Sequence, residues 1–208
     1  MTIRFRRKEN HMLTTRHFTL LLITAGAIAG GCTVLEPETE DKAASAEKMI
    51  KTLDLEAHVE GGYFRRTYQS DHRDMIETDD GERFLLTSIY YLLTDSSSVG
   101  HMHINKSDIL HYFQFGDPIR YTLIHQDGSM EQVTLGHDVK AGHRLQLHVP
   151  GGVWKASELL EGEYGYGLIS EAVSPGFDFN DMKLGEPEVL TRKFPQHSSL
   201  IQKLTNDR

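Results

Sequence analysis

From Tyr63 onward the apolar positions come in short runs, and Gly, Asp, Asn or Pro punctuates nearly every gap between them. Tyr63–Gln69 alternates, the pattern of a half-buried strand. Phe84–Leu93 is a continuous apolar run of the kind buried on both faces. Ile109–Phe115, Ile119–His125, Met130–Leu135, Arg144–Val149 and Tyr166–Val173 read as further strands, with Gln126-Asp127-Gly128-Ser129 as a hairpin turn. Ahead of them, Ser45 is placed to cap a short helix running to about Leu53, with Met49, Ile50 and Leu53 on one side. Many short strands at this spacing indicate a sandwich or barrel rather than βαβ units. The expected fold is all-β, a double-sheet jelly roll (double-stranded β-helix) with a short N-terminal helix, an arrangement without long exposed edges.

The N-terminal region has a different character. Arg16 and His17 precede an apolar run, Phe18–Gly30, too short to span a bilayer comfortably. It ends in Ile28-Ala29-Gly30-Gly31-Cys32, small residues ahead of the only cysteine in the chain. This resembles a bacterial lipobox, with Ala29 where Leu is more usual. The expected organisation is a lipoprotein-type signal peptide over 1–31, a polar tether over 32–47 and one domain over 48–208. Met12 is a second candidate start; an uncleaved anchor or an ordinary secretory signal are the alternatives. Lipidation of Cys32 would hold the domain on a membrane of the bacterial cell envelope, and Thr33 after the cysteine suits outer-membrane sorting. Residues 1–31 carry five Lys and Arg against one acidic residue, leaving 17 basic and 29 acidic residues from Cys32 onward, a net charge of −12. That balance argues against nucleic acid as a partner.

Four ordered segments carry a more specific signal. They are His58-Val59-Glu60-Gly61-Gly62-Tyr63-Phe64-Arg65-Arg66-Thr67-Tyr68, Gly100–His111 with its His101-Met102-His103 core, Gln146–Ala156 around Val149-Pro150-Gly151-Gly152-Val153-Trp154, and Ser174-Pro175-Gly176-Phe177-Asp178-Phe179. Together they resemble a small uncharacterised family of the cupin superfamily, a domain of unknown function whose opening signature reads His-Pro-Glu-Gly-Gly-Tyr-Phe-Arg-x-Thr-Tyr; Val59 departs from it. The resemblance spans about residues 50–185. It implies a cupin jelly roll, often a homodimer, with a small-molecule pocket inside the barrel and a likeness to sugar-nucleotide epimerases of similar fold.

Metal-binding cupins use His-x-His, a nearby Glu and a later His. Here no cofactor is the leading expectation, and a divalent transition metal on His101, His103, Asp108 and His148 is the alternative. Strand alternation puts His101 and His103 on one face. The carboxylate position is ambiguous, because one count gives Asp108 and the other Ile109. The histidine expected after Pro150-Gly151-Gly152 is missing, with Trp154 and Lys155 nearby.

His103 is the first candidate for catalysis, with His111, because a neutral imidazole can abstract a proton next to a sugar carbonyl. Tyr63, Tyr90, Tyr91 and Tyr112 are the candidates for an opposing acid. Glu60-Gly61-Gly62 is read as a tight turn. Ligand contacts are assigned to Glu60, Tyr63, Arg65, Gln146 and Trp154, with Arg66 at the surface or a dimer contact, and Asp178 closing a turn. Three functions compete: a sugar-epimerase-like isomerase acting on a sugar-like or acidic ligand, a non-catalytic binding module, and a metal-dependent oxygenase or isomerase.

Overall fold

The computed structural model describes residues 42–205, so the expected signal peptide, Cys32 and most of the tether lie outside the described residues. The first helix, α1 (Lys42–Leu53), starts ahead of Ser45. Lys-Ala-Ala-Ser-Ala-Glu is good helix-forming sequence, and Ala46 is buried, so the last residues expected to be tether are helical instead.

Thirteen strands follow among the described residues. One sheet runs in the order β1 (Glu56–Ala57), β2 (Tyr63–Gln69), β5 (Thr87–Thr94), β12 (Tyr166–Ser174), β7 (Asp108–Gly116) and β10 (Gln146–Val149). The facing sheet runs β13 (Met182–Leu184), β6 (Val99–Asn105), β11 (Trp154–Leu159), β8 (Ile119–Ile124) and β9 (Met130–Leu135). A small hairpin, β3 (Ile76–Thr78) with β4 (Gly81–Arg83), lies apart from both. Every pairing between neighbours in the two large sheets is antiparallel. Two sheets closing on one core is the jelly-roll arrangement expected from the strand pattern.

Alternation divides each sheet into an inner and an outer face. Tyr91, Leu93, Tyr121, Leu123, Val133, Leu147, Val149 and Ile169 meet between the sheets. Outside the six-stranded sheet, Leu92, Tyr166 and Leu168 pack with Ala46 and Leu55 at α1. Outside the five-stranded sheet, Met102, Ile124, Trp154 and Ala156 pack against α2 (Pro187–Lys193) and α3 (Ser198–Leu204) through Leu190, Ile201 and Leu204. These two C-terminal helices were not expected from the strand-dominated pattern. Their signals were Pro187 in the first turn of α2 and apolar spacing that only makes sense on a helix.

One buried carboxylate holds the loop before β12. Asp117 accepts the backbone N–H of Tyr164 at 3.0 Å and that of Gly165 at 2.6 Å. Asp117→Ala leaves both donors without their acceptor, at a cost of about 2–4 kcal/mol. Urea unfolding would show this as a lower midpoint with an unchanged slope.

Candidate functional site

The inner faces are not apolar throughout. Glu60, Tyr91, His103, His111, Tyr121, Lys155, Ser157 and Glu171 converge between the sheets and pack around a gap too small for a water molecule. Register explains their meeting. Lys155 stands opposite His103 on the β6 side and opposite Leu123 on the β8 side, while Ser157 stands opposite Tyr121. Across the barrel, Glu171 pairs with His111 in the β12–β7 ladder. Glu60 reaches in from the turn between β1 and β2, where Gly61 and Gly62 both have positive φ. A Cβ on Gly61 would lie 2.2 Å from the Val99 carbonyl oxygen, so glycine is required there. Gly100 does a similar job, since a Cβ on it would sit 2.3 Å from Ser157 Oγ and 2.6 Å from Tyr91 Oη.

Two hydrogen-bonded groups make up the cluster. In the first, His103 Nδ1 is 2.7 Å from the His101 carbonyl, which can only accept, so Nδ1 carries the proton. His103 Nε2 therefore presents a lone pair, 3.0 Å from Glu60 Oε2. Burial pushes the Glu60 carboxyl up to about 8, and burial with the nearby Lys155 charge holds His103 down at about 3. At neutral pH the pair is a carboxylic acid donating to a neutral imidazole. His58 half-covers it, with Nδ1 3.6 Å from Glu60 Oε2 and its ring against Phe64 and the exposed Phe179.

In the second group, Lys155 Nζ lies 3.2 Å from His111 Nε2, and an ammonium can only donate. His111 Nδ1 thus carries the proton and donates to Glu171 Oε1 at 3.1 Å. Tyr121 Oη is 3.2 Å from the same nitrogen. Burial works against the Glu171 carboxylate, but His111 and the Lys155 charge outweigh it and hold the group well below the usual carboxylate range. Burial also lowers His111 and raises Tyr91 and Tyr121, keeping all three neutral.

This arrangement sets the pH dependence of stability. The folded Glu60–His103 pair keeps its proton until about pH 8, whereas an exposed His near 6.5 and Glu near 4.5 have both lost theirs by then. The folded state binds more protons in that window, so stability falls as pH rises from about 6.5 to 8, by about 2 kcal/mol at most. Glu60→Gln should flatten this alkaline limb, as urea titrations across the window would show. Below 6.5 the buried His58 and His111 resist charging, so stability falls again as pH drops.

Residues 47–185 match a family described as Cupin superfamily (DUF985). The chain belongs to this cupin family. Uncharacterized protein YML079W of Saccharomyces cerevisiae is 41% identical over 150 residues, covering 66% of this chain and 74% of that protein. A hypothetical protein from Leishmania major superposes with a TM-score of 0.73 at 32% identity, covering 78% of this chain and 99% of that one. Protein SO0799 from Shewanella oneidensis gives a TM-score of 0.71 at 36% identity, covering 78% and 98%.

Within this cupin barrel the structure brings together only part of the residue set read from the sequence. Glu60, His103 and His111 line the interior, and Tyr91 is the one interior residue of the four candidate tyrosines. Tyr63 and Tyr90 pack outward near α1, and Tyr112 alternates outward from His111. Arg65 pairs with outward Tyr90 and shares its face, half-buried outside the barrel. Arg66 is exposed, as expected, and donates to the Gln69 side chain at 2.8 Å and the Phe177 carbonyl at 3.3 Å; neither guanidinium lines the interior. Gln146 is exposed and alternates with the inward Leu147, which places it outside the barrel. Trp154 is core beneath α2 and α3. Asp178 accepts from Asn180 N–H and closes a turn.

The four residues of the alternative metal set do not converge. A register shift between Lys155 and Ser157 on β11 leaves three steps on β6 facing two, which breaks the alternation between His103 and His101. His103 faces inward. His101 lines an outer groove of about 720 Å³ with Val59, Met102, Leu184 and Arg192. Asp108 and His148 face each other at 3.3 Å on the surface. Among the described residues, no three His, Cys, Asp or Glu side chains are grouped to hold a metal. The outer groove is the roomier space, but the hydrogen-bonded ionisable groups are in the barrel.

Lys155, Glu171, Tyr121 and Ser157 were missed as site residues. Trp-Lys-Ala-Ser-Glu-Leu does not read as a strand, because its polar members face a polar interior; its only signal was the lysine standing near the position of the expected histidine.

Proposed function

We propose that this cupin binds a small polar carbonyl compound, sugar-like or acidic, inside the barrel and isomerises it by proton transfer at the carbon next to the carbonyl. The observation that carries the reading is the Glu60–His103 pair, a neutral acid hydrogen-bonded to a neutral base at 3.0 Å, both buried. His103 Nε2 takes the proton from carbon once a ligand displaces the Glu60 hydrogen bond. Tyr91 or Glu60 returns one from another direction, and Lys155 faces the developing oxyanion. The interior side chains pack so closely that a ligand must part them to enter; His58, 3.6 Å from Glu60 and stacked with Phe179, stands beside the Glu60–His103 pair.

The test is solvent exchange. The protein is incubated in deuterium oxide with reducing sugars, uronic acids and 2-oxo acids, and loss of the proton signal next to the carbonyl is followed by NMR. His103-dependent deuterium incorporation supports the isomerase. Ligand binding without exchange leaves a binding module. The proposal also keeps a homodimer, which the family resemblance implies, and the lipid anchor on Cys32 with an envelope location, read from the N-terminal sequence.

A further inference from the structure

The first hydrogen-bonded group explains proton transfer; the second enters that reading only through the charge of Lys155, with His111 and Glu171 unused. Lys155 is 3% exposed, and a lysine so buried in a barrel otherwise needs an explanation. Among the described residues its one hydrogen-bond partner is His111 Nε2, at 3.2 Å, which leaves two N–H bonds of the ammonium without a protein acceptor. His111 is in turn oriented by Glu171, at 3.1 Å from Nδ1. Nucleophile, base and orienting carboxylate in line is the arrangement that activates a weak nucleophile. Lys155 is also the cross-strand neighbour of His103 in the β6–β11 ladder, on the same inner face, so one ligand can reach both.

We infer that Lys155 is an amine nucleophile that forms an imine with the carbonyl carbon of an aldehyde or ketone ligand, with His111 as its base and Glu171 as the positioning residue. The inference rests on the reading that a carbonyl compound enters the barrel. The ammonium of Lys155 passes a proton to His111 Nε2, and the charge sum of the triad is unchanged, so Glu171 stays paired. The freed Nζ lone pair forms the C–N bond as the carbonyl π electrons move to oxygen. His111 shuttles protons from nitrogen to that oxygen, the C–O bond breaks, and water leaves as the nitrogen lone pair closes the C=N bond. Overall one ammonium and one carbonyl become one protonated imine and one water, with no oxidant or reductant. The imine then draws electrons from the adjacent C–H bond, which is the bond His103 is placed to break. The substrate class narrows accordingly to compounds with a free aldehyde or ketone, which excludes sugars locked as glycosides.

Trapping tests this. The protein is incubated with glycolaldehyde and cyanoborohydride, which reduces an imine to a stable secondary amine, and the modified lysines are located by peptide mass mapping. Exposed Lys106 and Lys203 serve as internal references for non-specific reaction. The expected result is modification of Lys155 faster than of those references, and about 100-fold or more slower in His111→Asn. Lys155→Arg keeps the buried charge and should lose the adduct while retaining a native melting transition. Glu171→Gln should retain the adduct but shift the pH profile of its formation, which a merely structural role would not do. Labelling of the exposed lysines alone overturns the inference. If His103-dependent exchange is then still observed with the wild-type protein, only the imine step fails; if exchange is absent as well, the isomerase reading fails with it.

Discussion

His103→Gln is expected to lower the rate of deuterium incorporation next to the carbonyl by about 10²–10⁴-fold, the usual contribution of a positioned general base. Glutamine fills the imidazole site and keeps a hydrogen-bonding group near Glu60, but has no lone pair basic enough to take a proton from carbon. The loss should fall on kcat, with KM little changed, because the residue acts on the reacting bond rather than on the bound ligand. Glu60→Gln should behave alike for a different reason. Its amide can donate to His103 Nε2 in place of the carboxylic acid now 3.0 Å away, yet it has no proton to release. The two substitutions should therefore be far from additive, since acid and base work as one pair. An effect confined to KM in both variants would place the pair in binding only.

Lys155→Met should have the largest effect on stability. It removes the charge that, together with His111, keeps Glu171 ionised in a buried site, and breaking a buried pair from one side costs about 3–5 kcal/mol. The double variant Lys155→Met, Glu171→Gln should recover most of that loss, because no unpaired charge remains. The pH dependence also weakens. In the wild-type chain Glu171 is held below the ordinary carboxylate value near 4.5, so its contribution is present above that value and lost as pH falls. Without Lys155 only His111 opposes burial, so the carboxyl rises from its depressed position and the stability lost as pH falls becomes smaller. Urea unfolding of the wild-type, single and double variants at two pH values reads all of this.

The strands were legible because their inner faces are mostly apolar. Tyr63–Gln69 and Met130–Leu135 occur with the bounds the alternation gave. Of the site, Glu60, His103 and His111 were legible from their places in the motifs rather than from parity, since Glu60 stands in a turn and parity alone put His101 beside His103. What alternation cannot show is a change of register. The shift between β6 and β11 sends His101 to the outer groove, and no local feature of His101-Met102-His103 announces it. Parity on β2 was equally silent about the arginines: Arg65 lies on the outer, Tyr90 side and Arg66 is exposed, so neither enters the barrel. The lysine was hidden for the opposite reason. A buried cation is costly without a partner, so Lys155 is credible as an interior residue only once Glu171 and His111, far away in sequence, are seen beside it.

The protonation state of the Glu60–His103 pair is the hinge of the account, and nitrogen-15 NMR of the histidine rings reads it directly. Spectra from about pH 5 to about pH 9 distinguish a neutral ring protonated at Nδ1 from an imidazolium. The expected result is a His103 ring that stays neutral and Nδ1-protonated across the whole range, with Nε2 accepting a hydrogen bond that weakens near pH 8 as Glu60 ionises. A His103 ring that instead becomes an imidazolium with a midpoint near 6.5, as an exposed histidine does, would contradict it, and the pair would then be an ordinary salt bridge rather than an acid and a base waiting for a ligand.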